Sequence, residues 1–253
     1  MPTFTSFDGL TIVYDEWGDA GGTPPVLLHH GFVADANLNW VLPGIVDALV
    51  ADGHRVVAPD ARGHGRSDHP HDASFYGEAN MARDVSALVD RLGADEVDLV
   101  GYSMGSVVSL LVAAQDPRVR RLAIGGVGSG ILDCGGVDRR ALDNVTLAAA
   151  LRADDPSTIA DLAAAGFRAF VDAVGADRTA LAAHADVVHT DPIPLERITA
   201  PTLVLAGVDD DLAAEPGRLA AAIPGAVLTM VPGDHLGAVA TPELLAALRS
   251  FLS

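Results

Sequence analysis

The feature that most constrains this chain is a serine between two glycines, at a predicted turn from a strand into a helix. Gly101 to Gly105 spell Gly-Tyr-Ser-Met-Gly, after the mostly apolar run 97–100 and before a helical pattern over 106–115. In such a turn the serine backbone is strained and its hydroxyl stands clear of the sheet. A side chain at either glycine would collide with the neighbouring strand or helix. Ser103 is therefore a candidate nucleophile.

Charge and hydropathy exclude several classes of partner. The 253 residues carry a formal net charge of −18. Nucleic acids and anionic membrane surfaces both require clustered basic side chains, so we expect neither as a partner. No apolar run is long enough to span a bilayer, and no secretory signal pattern opens the chain. Together with a single cysteine, Cys134, these features predict a cytoplasmic location.

Short aliphatic runs alternate with longer stretches of helical periodicity, which is typical of an α/β fold with a mostly parallel sheet covered by helices. We predict strands over 10–17, 25–29, 54–58, 97–100, 121–125, 202–206 and 227–231, and helices over 39–51, 78–92, 106–115, 215–222 and from 241 onward. Between 128 and 194 the pattern changes to short helices rich in alanine and aspartate, without a strand. We therefore interpret 1–127 and 195–253 as one core, and 128–194 as a helical cap or lid inserted into it.

Two later loops supply chemical partners for Ser103. A serine hydroxyl needs a base at neutral pH, and His235, in the loop after the last predicted strand, is the best candidate; its alternative is a solvated loop residue. The histidine needs an acid that fixes its tautomer and stabilises the imidazolium. Asp209, Asp210 and Asp211 follow the preceding predicted strand, so each is a candidate acid. The order Ser, Asp, His is the one expected on such a sheet.

An acyl-transfer site also needs donors for the oxyanion of its tetrahedral intermediate. The backbone N–H of Met104, directly after Ser103, is one candidate. A second is expected from the loop His30-Gly31-Phe32-Val33, where the glycine would let the backbone turn an N–H inward.

Taken in their order and spacing, five segments resemble the α/β-hydrolase family over nearly the whole chain. They are 29–32, 60–67, 101–105, 201–210 and 233–235. The resemblance implies an eight-stranded, mostly parallel sheet whose second strand is antiparallel, and a cap domain at the insertion. It implies no cofactor and no metal ion. It assigns Ser103 as nucleophile, His235 as base, Asp210 as acid, with Asp209 and Asp211 still possible, and the N–H groups of Phe32 and Met104 as oxyanion donors.

The same resemblance gives other residues supporting roles. The Asp, Arg and Ser of 60–67 are expected to brace the loop beneath the site, and His30 to support the oxyanion loop. Two positions depart from the family pattern. Ser106 stands where a second glycine is common, and Asp234, next to the candidate base, either raises the pKa of His235 or faces solvent.

These observations predict a serine hydrolase that cleaves a small, mostly apolar ester or lactone through an acyl-enzyme. The alternatives on the same triad are a C–C bond hydrolase, a thioesterase or a cofactor-free perhydrolase; a non-catalytic ligand-binding protein is the alternative from another class. The strand-to-helix turn at 101–105 is the nucleophile elbow of this family. A serine at the elbow argues against dehalogenases and epoxide hydrolases, whose elbows carry aspartate. The insertion shows no charged cluster that would demand an ionic substrate, and Phe167, Phe170, Val171 and Val174 are expected to line the pocket or pack behind it.

Overall fold

The computed structural model describes residues 1–19, 24–140 and 143–253. Its strands are β1 (Thr3–Thr5), β2 (Thr11–Trp17), β3 (Val26–His29), β4 (Val56–Pro59), β5 (Val97–Tyr102), β6 (Val119–Gly125), β7 (Thr202–Gly207) and β8 (Val227–Val231). Its α-helices are α1 (Ile45–Ala51), α2 (Glu78–Leu92), α3 (Met104–Ala113), α4 (Gly130–Cys134), α5 (Asn144–Arg152), α6 (Leu162–Val174), α7 (Arg178–Ala185), α8 (Pro216–Ala222) and α9 (Pro242–Leu252).

These strands form one sheet in the order β1-β2-β4-β3-β5-β6-β7-β8. Strand β2 runs antiparallel to both of its neighbours, and every other pair from β4 to β8 is parallel. The expected eight-stranded sheet with an antiparallel second strand is confirmed. The short edge strand β1 was not predicted, because three residues are too few to show alternation.

Helices cover both faces of the sheet and bury two apolar layers. Leu99 of β5 packs into the layer beneath α2 and α3, while the next residue, Val100, packs into the layer beneath α1 and α9. Because β5 is buried on both faces, its sequence is a nearly continuous apolar run rather than an alternation. The strand order places β5 near the middle of the sheet, with four strands on one side and three on the other.

The predicted helix over 39–51 is wrong in extent. The structure has a π-helical turn at Asn37–Val41 and a separate helix, α1, which begins at Ile45. Gly44 lies between them with φ of 79°, a left-handed conformation that cannot continue a right-handed helix. The helix predicted over 78–92 is confirmed, and Gly93 ends it with φ of 61°.

Between β6 and β7 the described residues form helices α4 to α7 and two short 3-10 turns, Pro156–Thr158 and Leu195–Arg197, with no strand. Helices α5, α6 and α7 share an apolar cluster with Val33, which lies in the loop after β3. This segment therefore packs directly over that loop, although its status as a separate domain stays a prediction. Within the described ranges, no helix is both long enough and apolar enough to cross a membrane.

Candidate active site

Ser103 occupies a strained turn between β5 and α3. Its φ of 54° and ψ of −118° lie outside the conformations that residues with side chains normally adopt. The glycines on either side allow this close packing: a Cβ on Gly101 would lie 2.2 Å from the carbonyl oxygen of Gly105, and one on Gly105 would lie 2.0 Å from that of His29. The elbow predicted from the sequence is present, with both glycines needed for the reason expected.

His235 joins Ser103 to one of the three candidate acids. Its Nε2 lies 2.9 Å from Ser103 Oγ, and its Nδ1 lies 3.0 Å from each carboxylate oxygen of Asp210. The Asp210 side chain is fully buried, whereas Asp209 and Asp211 are exposed. The structure therefore places Asp210, and neither of its neighbours, beside the imidazole.

The Asp210 carboxylate is held by the backbone that follows it. Its Oδ1 accepts hydrogen bonds from the N–H groups of Leu212 and Ala213, at 3.0 and 3.2 Å. Asp234, next to the histidine, is exposed and accepts a hydrogen bond from the N–H of Gly237 at 2.8 Å. Of the two interpretations left open for Asp234, the structure supports the one in which it faces solvent.

Tyr102 supports the histidine, a role that was not predicted from the sequence. Its hydroxyl donates a hydrogen bond of 2.7 Å to the carbonyl oxygen of His235, and the two rings are 5.6 Å apart. Burial raises the pKa of the Tyr102 phenol, with the nearby charges of Asp210 and Asp234 adding to the shift. The phenol therefore remains a protonated donor. An aromatic residue between Gly101 and Ser103 was the only signal for this role.

The loop after β3 lies against Ser103. A Cβ on Gly31 would lie 3.3 Å from Ser103 Cβ, and the N–H of Gly31 donates to Asn39 Oδ1 at 2.9 Å. The left-handed backbone conformation of this loop is at Val33, with φ of 72°, and not at Gly31. Gly31 therefore lets the loop approach Ser103 closely but does not make the turn that was expected of it. The N–H of Phe32 has no acceptor among the described residues, which leaves it free to bind a ligand.

His30 connects this loop to the segment 60–67. Its Nε2 accepts a hydrogen bond of 2.9 Å from the N–H of Ala61, and its Nδ1 lies 2.8 Å from the carbonyl oxygen of Gly31. Burial lowers the pKa of His30, so the imidazole is neutral and can accept at one nitrogen while donating at the other. The supporting role expected of His30 is confirmed.

The segment 60–67 also braces the loop. Asp60 accepts hydrogen bonds from the N–H of Ala36 at 3.0 Å and from Arg66 Nε at 2.7 Å, while Ser67 Oγ donates to the carbonyl oxygen of Asp60 at 2.5 Å. Arg62 is fully buried and forms ion pairs with other aspartates away from Ser103. These contacts agree with the structural role expected from the sequence.

Ser106, which replaces the glycine common in the family, ties the elbow to the neighbouring strand. Its hydroxyl lies 2.7 Å from the carbonyl oxygen and 3.0 Å from the nitrogen of Gly125 in β6. The side chain is fully buried. The Ser106 side chain therefore occupies buried space that a glycine would leave empty, and its hydroxyl forms hydrogen bonds with two backbone groups of β6.

A cavity of about 300 Å³ opens onto Ser103 and His235. Its wall is mostly apolar and includes Phe32, Met104, Leu147, Phe167, Phe170 and Val188. Of the four expected wall or packing residues, Phe167 and Phe170 line the cavity and Val171 is buried behind it, whereas Val174 is exposed.

Charged residues also line this cavity, although the sequence of the insertion showed no charged cluster. Glu78 comes from α2, outside the insertion, while Asp138 and Arg139 come from the segment after α4. The sequence reasoning missed Glu78 because nothing in its neighbourhood indicated that the beginning of α2 faces the site. Within the described residues, no group of three or more His, Cys, Asp and Glu side chains is arranged to hold a metal ion.

Comparisons with known proteins agree with this fold. A family model for the α/β hydrolase fold matches residues 24–134. A non-heme chloroperoxidase of Streptomyces lividans is 28% identical over 99% of this chain and 100% of its own length. A 2-hydroxy-6-oxo-2,4-heptadienoate hydrolase of Pseudomonas putida is 39% identical, but the match covers only 44% of this chain and 40% of that protein.

Solved structures extend the similarity to the whole fold. A hydrolase from Pseudomonas aeruginosa superposes with a TM-score of 0.81 at 29% identity, over 100% of this chain and 98% of that one. The enol-lactonase of Burkholderia xenovorans has the same fold, with a TM-score of 0.81 at 22% identity over 99% of both chains. On its sheet order, its elbow and these similarities, the chain has the α/β-hydrolase fold.

Proposed function

We propose that this protein is a serine hydrolase that cleaves small carboxylic esters or lactones. The observation that carries the proposal is the hydrogen-bonded series Ser103–His235–Asp210, whose serine end opens into a mostly apolar cavity. Each neighbouring pair in this series is within hydrogen-bond distance, and Ser103 Oγ is close enough to His235 Nε2 for proton transfer. The cavity can hold the acyl chain beside the nucleophile.

In the proposed reaction, Ser103 Oγ attacks the ester carbonyl carbon while His235 Nε2 takes the hydroxyl proton. The resulting oxyanion accepts hydrogen bonds from the N–H groups of Phe32 and Met104. Asp210 stabilises the imidazolium that forms and keeps Nδ1 protonated. When the carbon–oxygen bond breaks, His235 returns the proton to the leaving alcohol. Water, deprotonated by the same histidine, then attacks the acyl carbon, and His235 returns the proton to Ser103 Oγ as the bond to the acid breaks.

The experiment combines an active-site label with a matched pair of serine variants. We expect a fluorophosphonate probe to label Ser103, and Ser103→Ala to lose on the order of a millionfold in kcat on an aryl ester. Ser109→Ala removes a buried hydroxyl of α3, the helix that follows Ser103, and this hydroxyl donates to the carbonyl oxygen of Gly105. This control should keep both labelling and turnover. Labelling of a different residue, or turnover retained in Ser103→Ala, would contradict the mechanism.

A second candidate is perhydrolysis, in which hydrogen peroxide takes the place of water in attack on the acyl-enzyme. It is favoured by the similarity to a non-heme chloroperoxidase over the full length of both chains. The same Ser103 would carry this reaction, and the product would be a peracid. Peracid formation from acetate esters and peroxide, lost in Ser103→Ala, would support it. Rates with water, peroxide, lactones, thioesters and diketones, measured side by side, would rank the reactions available to this site.

A further inference from the structure

One part of the cavity wall is both polar and buried. Glu78 at the beginning of α2 and His184 near the end of α7 line the cavity with Ser103, although their side chains are only 3% and 1% exposed. The Oε1 atom of Glu78 lies 3.7 Å from His184 Nε2, beyond hydrogen-bond distance. We call these two side chains the polar corner.

The carboxylate side of the polar corner is held in place by the segment after α7. The N–H of His189 donates to Glu78 Oε2 at 2.6 Å. Burial acts to raise the pKa of Glu78, but the adjacent His184 and the N–H of His189 outweigh it, so the net pKa is lowered. The side chain is therefore a carboxylate at neutral pH, with Oε1 directed towards His184.

The imidazole side is held by aromatic rings. His184 stacks on Tyr76, with ring centres 5.8 Å apart and planes 16° from parallel, and meets the edge of Phe32 at 5.4 Å. These contacts fix the ring but satisfy neither nitrogen: both Nδ1 and Nε2 lack a hydrogen-bond partner among the described residues. Buried polar atoms almost always have partners, so a cavity-lining imidazole with none indicates a place for a ligand group.

We propose that the polar corner binds a hydroxyl group on the substrate, so that the preferred substrate is a hydroxylated ester. A hydroxyl can donate its hydrogen to Glu78 Oε1 and accept one from a ring N–H of His184. A methyl group would leave both partners unsatisfied, a carboxylate would be repelled by Glu78, and an ammonium group could not accept from the imidazole. This inference rests on the proposed hydrolase function, because it concerns the same cavity.

The test compares esters that differ only in a terminal group. Methyl esters of ω-hydroxyalkanoic acids are paired with methyl alkanoates of equal heavy-atom number over a series of chain lengths, and hydrolysis is followed by acid release. A second series carries the hydroxyl on the alcohol, as monoacetates of diols, and so shows which half of the ester reaches the polar corner. At the chain length that reaches it, we expect kcat/KM to favour the hydroxylated ester about 10- to 100-fold.

Variants then connect this preference to the two side chains. Glu78→Gln keeps an oxygen for the N–H of His189, and His184→Phe keeps the stacked ring, so each should fold, as a thermal melt would check. Either should reduce the ratio of kcat/KM for hydroxylated over plain ester to near one. Phe170→Leu, an apolar change elsewhere in the same wall, should leave the preference for the hydroxyl in place.

The outcomes separate this inference from the proposed function. Hydrolysis of plain esters with no preference for a hydroxyl in either series would overturn the inference and leave the hydrolase proposal standing. A stronger preference for ω-amino esters, or a hydroxyl preference unchanged in both variants, would also overturn it. Absence of Ser103-dependent hydrolysis of any ester would instead contradict the proposed function, and the inference would fall with it.

Discussion

Replacing Asp210 by asparagine tests the electrostatic core of the proposed mechanism. Asn keeps the shape of the side chain and an oxygen that can accept the N–H groups of Leu212 and Ala213, so the turn after β7 should remain intact. The substitution removes the charge beside His235. It also puts an amide N–H opposite Nδ1, which favours the tautomer that cannot accept the proton of Ser103.

The size of the effect follows from the distance between the two groups. His235 Nδ1 lies 3.0 Å from both oxygens of a fully buried carboxylate. At an effective dielectric constant of about 20, an imidazolium at that distance is stabilised by about 5 kcal/mol. Because this charge develops only in the transition state, its loss should lower kcat by about 10⁴-fold with little change in substrate binding.

The assay is steady-state hydrolysis of an aryl ester, with a thermal melt to show that each variant is folded. Asp209→Asn and Asp211→Asn are matched controls, since both side chains are exposed and should change the rate by less than about threefold. Slower turnover in either control than in Asp210→Asn would assign the acid to that residue. An Asp210→Asn enzyme within about tenfold of wild type would refute the electrostatic reasoning.

Three further predictions concern the stability of the site. Gly105→Ala places a Cβ 2.0 Å from a backbone oxygen of β3 and should destabilise the fold by about 3 kcal/mol or more in urea unfolding. Gly166→Ala in α6 is the control: its Cβ would have no neighbour within 4 Å, so it should stabilise the fold by up to about 1 kcal/mol. Ser106→Ala removes the hydroxyl that accepts a hydrogen bond from the buried N–H of Gly125 in β6 and should cost about 1–3 kcal/mol in the same assay. An unchanged unfolding midpoint would show that this hydroxyl is dispensable. Folding lowers the pKa of Glu78. The stability that this carboxylate contributes is therefore present above its ordinary pKa of 4.5 and is lost as the pH falls through the lower pKa of the folded protein. Melting temperatures in acid should fall less steeply in Glu78→Gln than in wild type.

The nucleophile and the strand before it could be predicted because both are recognised from residues that are close together in the sequence. An elbow needs glycines on both sides of its serine, and the strand before it must be apolar because both of its faces are buried. Both requirements are visible within a few residues. The break at Gly44 was missed for the opposite reason: helical periodicity continues through 39–51, and only the backbone conformation shows that the helix is interrupted.

The choice among Asp209, Asp210 and Asp211 could not come from the residues themselves. Three identical side chains in a row have the same propensities, and their different positions arise from the turn after β7, which buries one and exposes the others. Only the family resemblance selected Asp210. The structure distinguishes the three by distance to His235.

The sequence by itself determined the fold class and the candidate nucleophile and base, because hydrophobic periodicity and tight-turn glycines act over short distances along the chain. Tertiary structure alone decided which groups meet in the cavity. Glu78 and His184 are more than one hundred positions apart, and each would be an ordinary helix residue when considered alone. They become a polar corner only because α7 packs over the beginning of α2, which removes both side chains from water and leaves the imidazole without a partner.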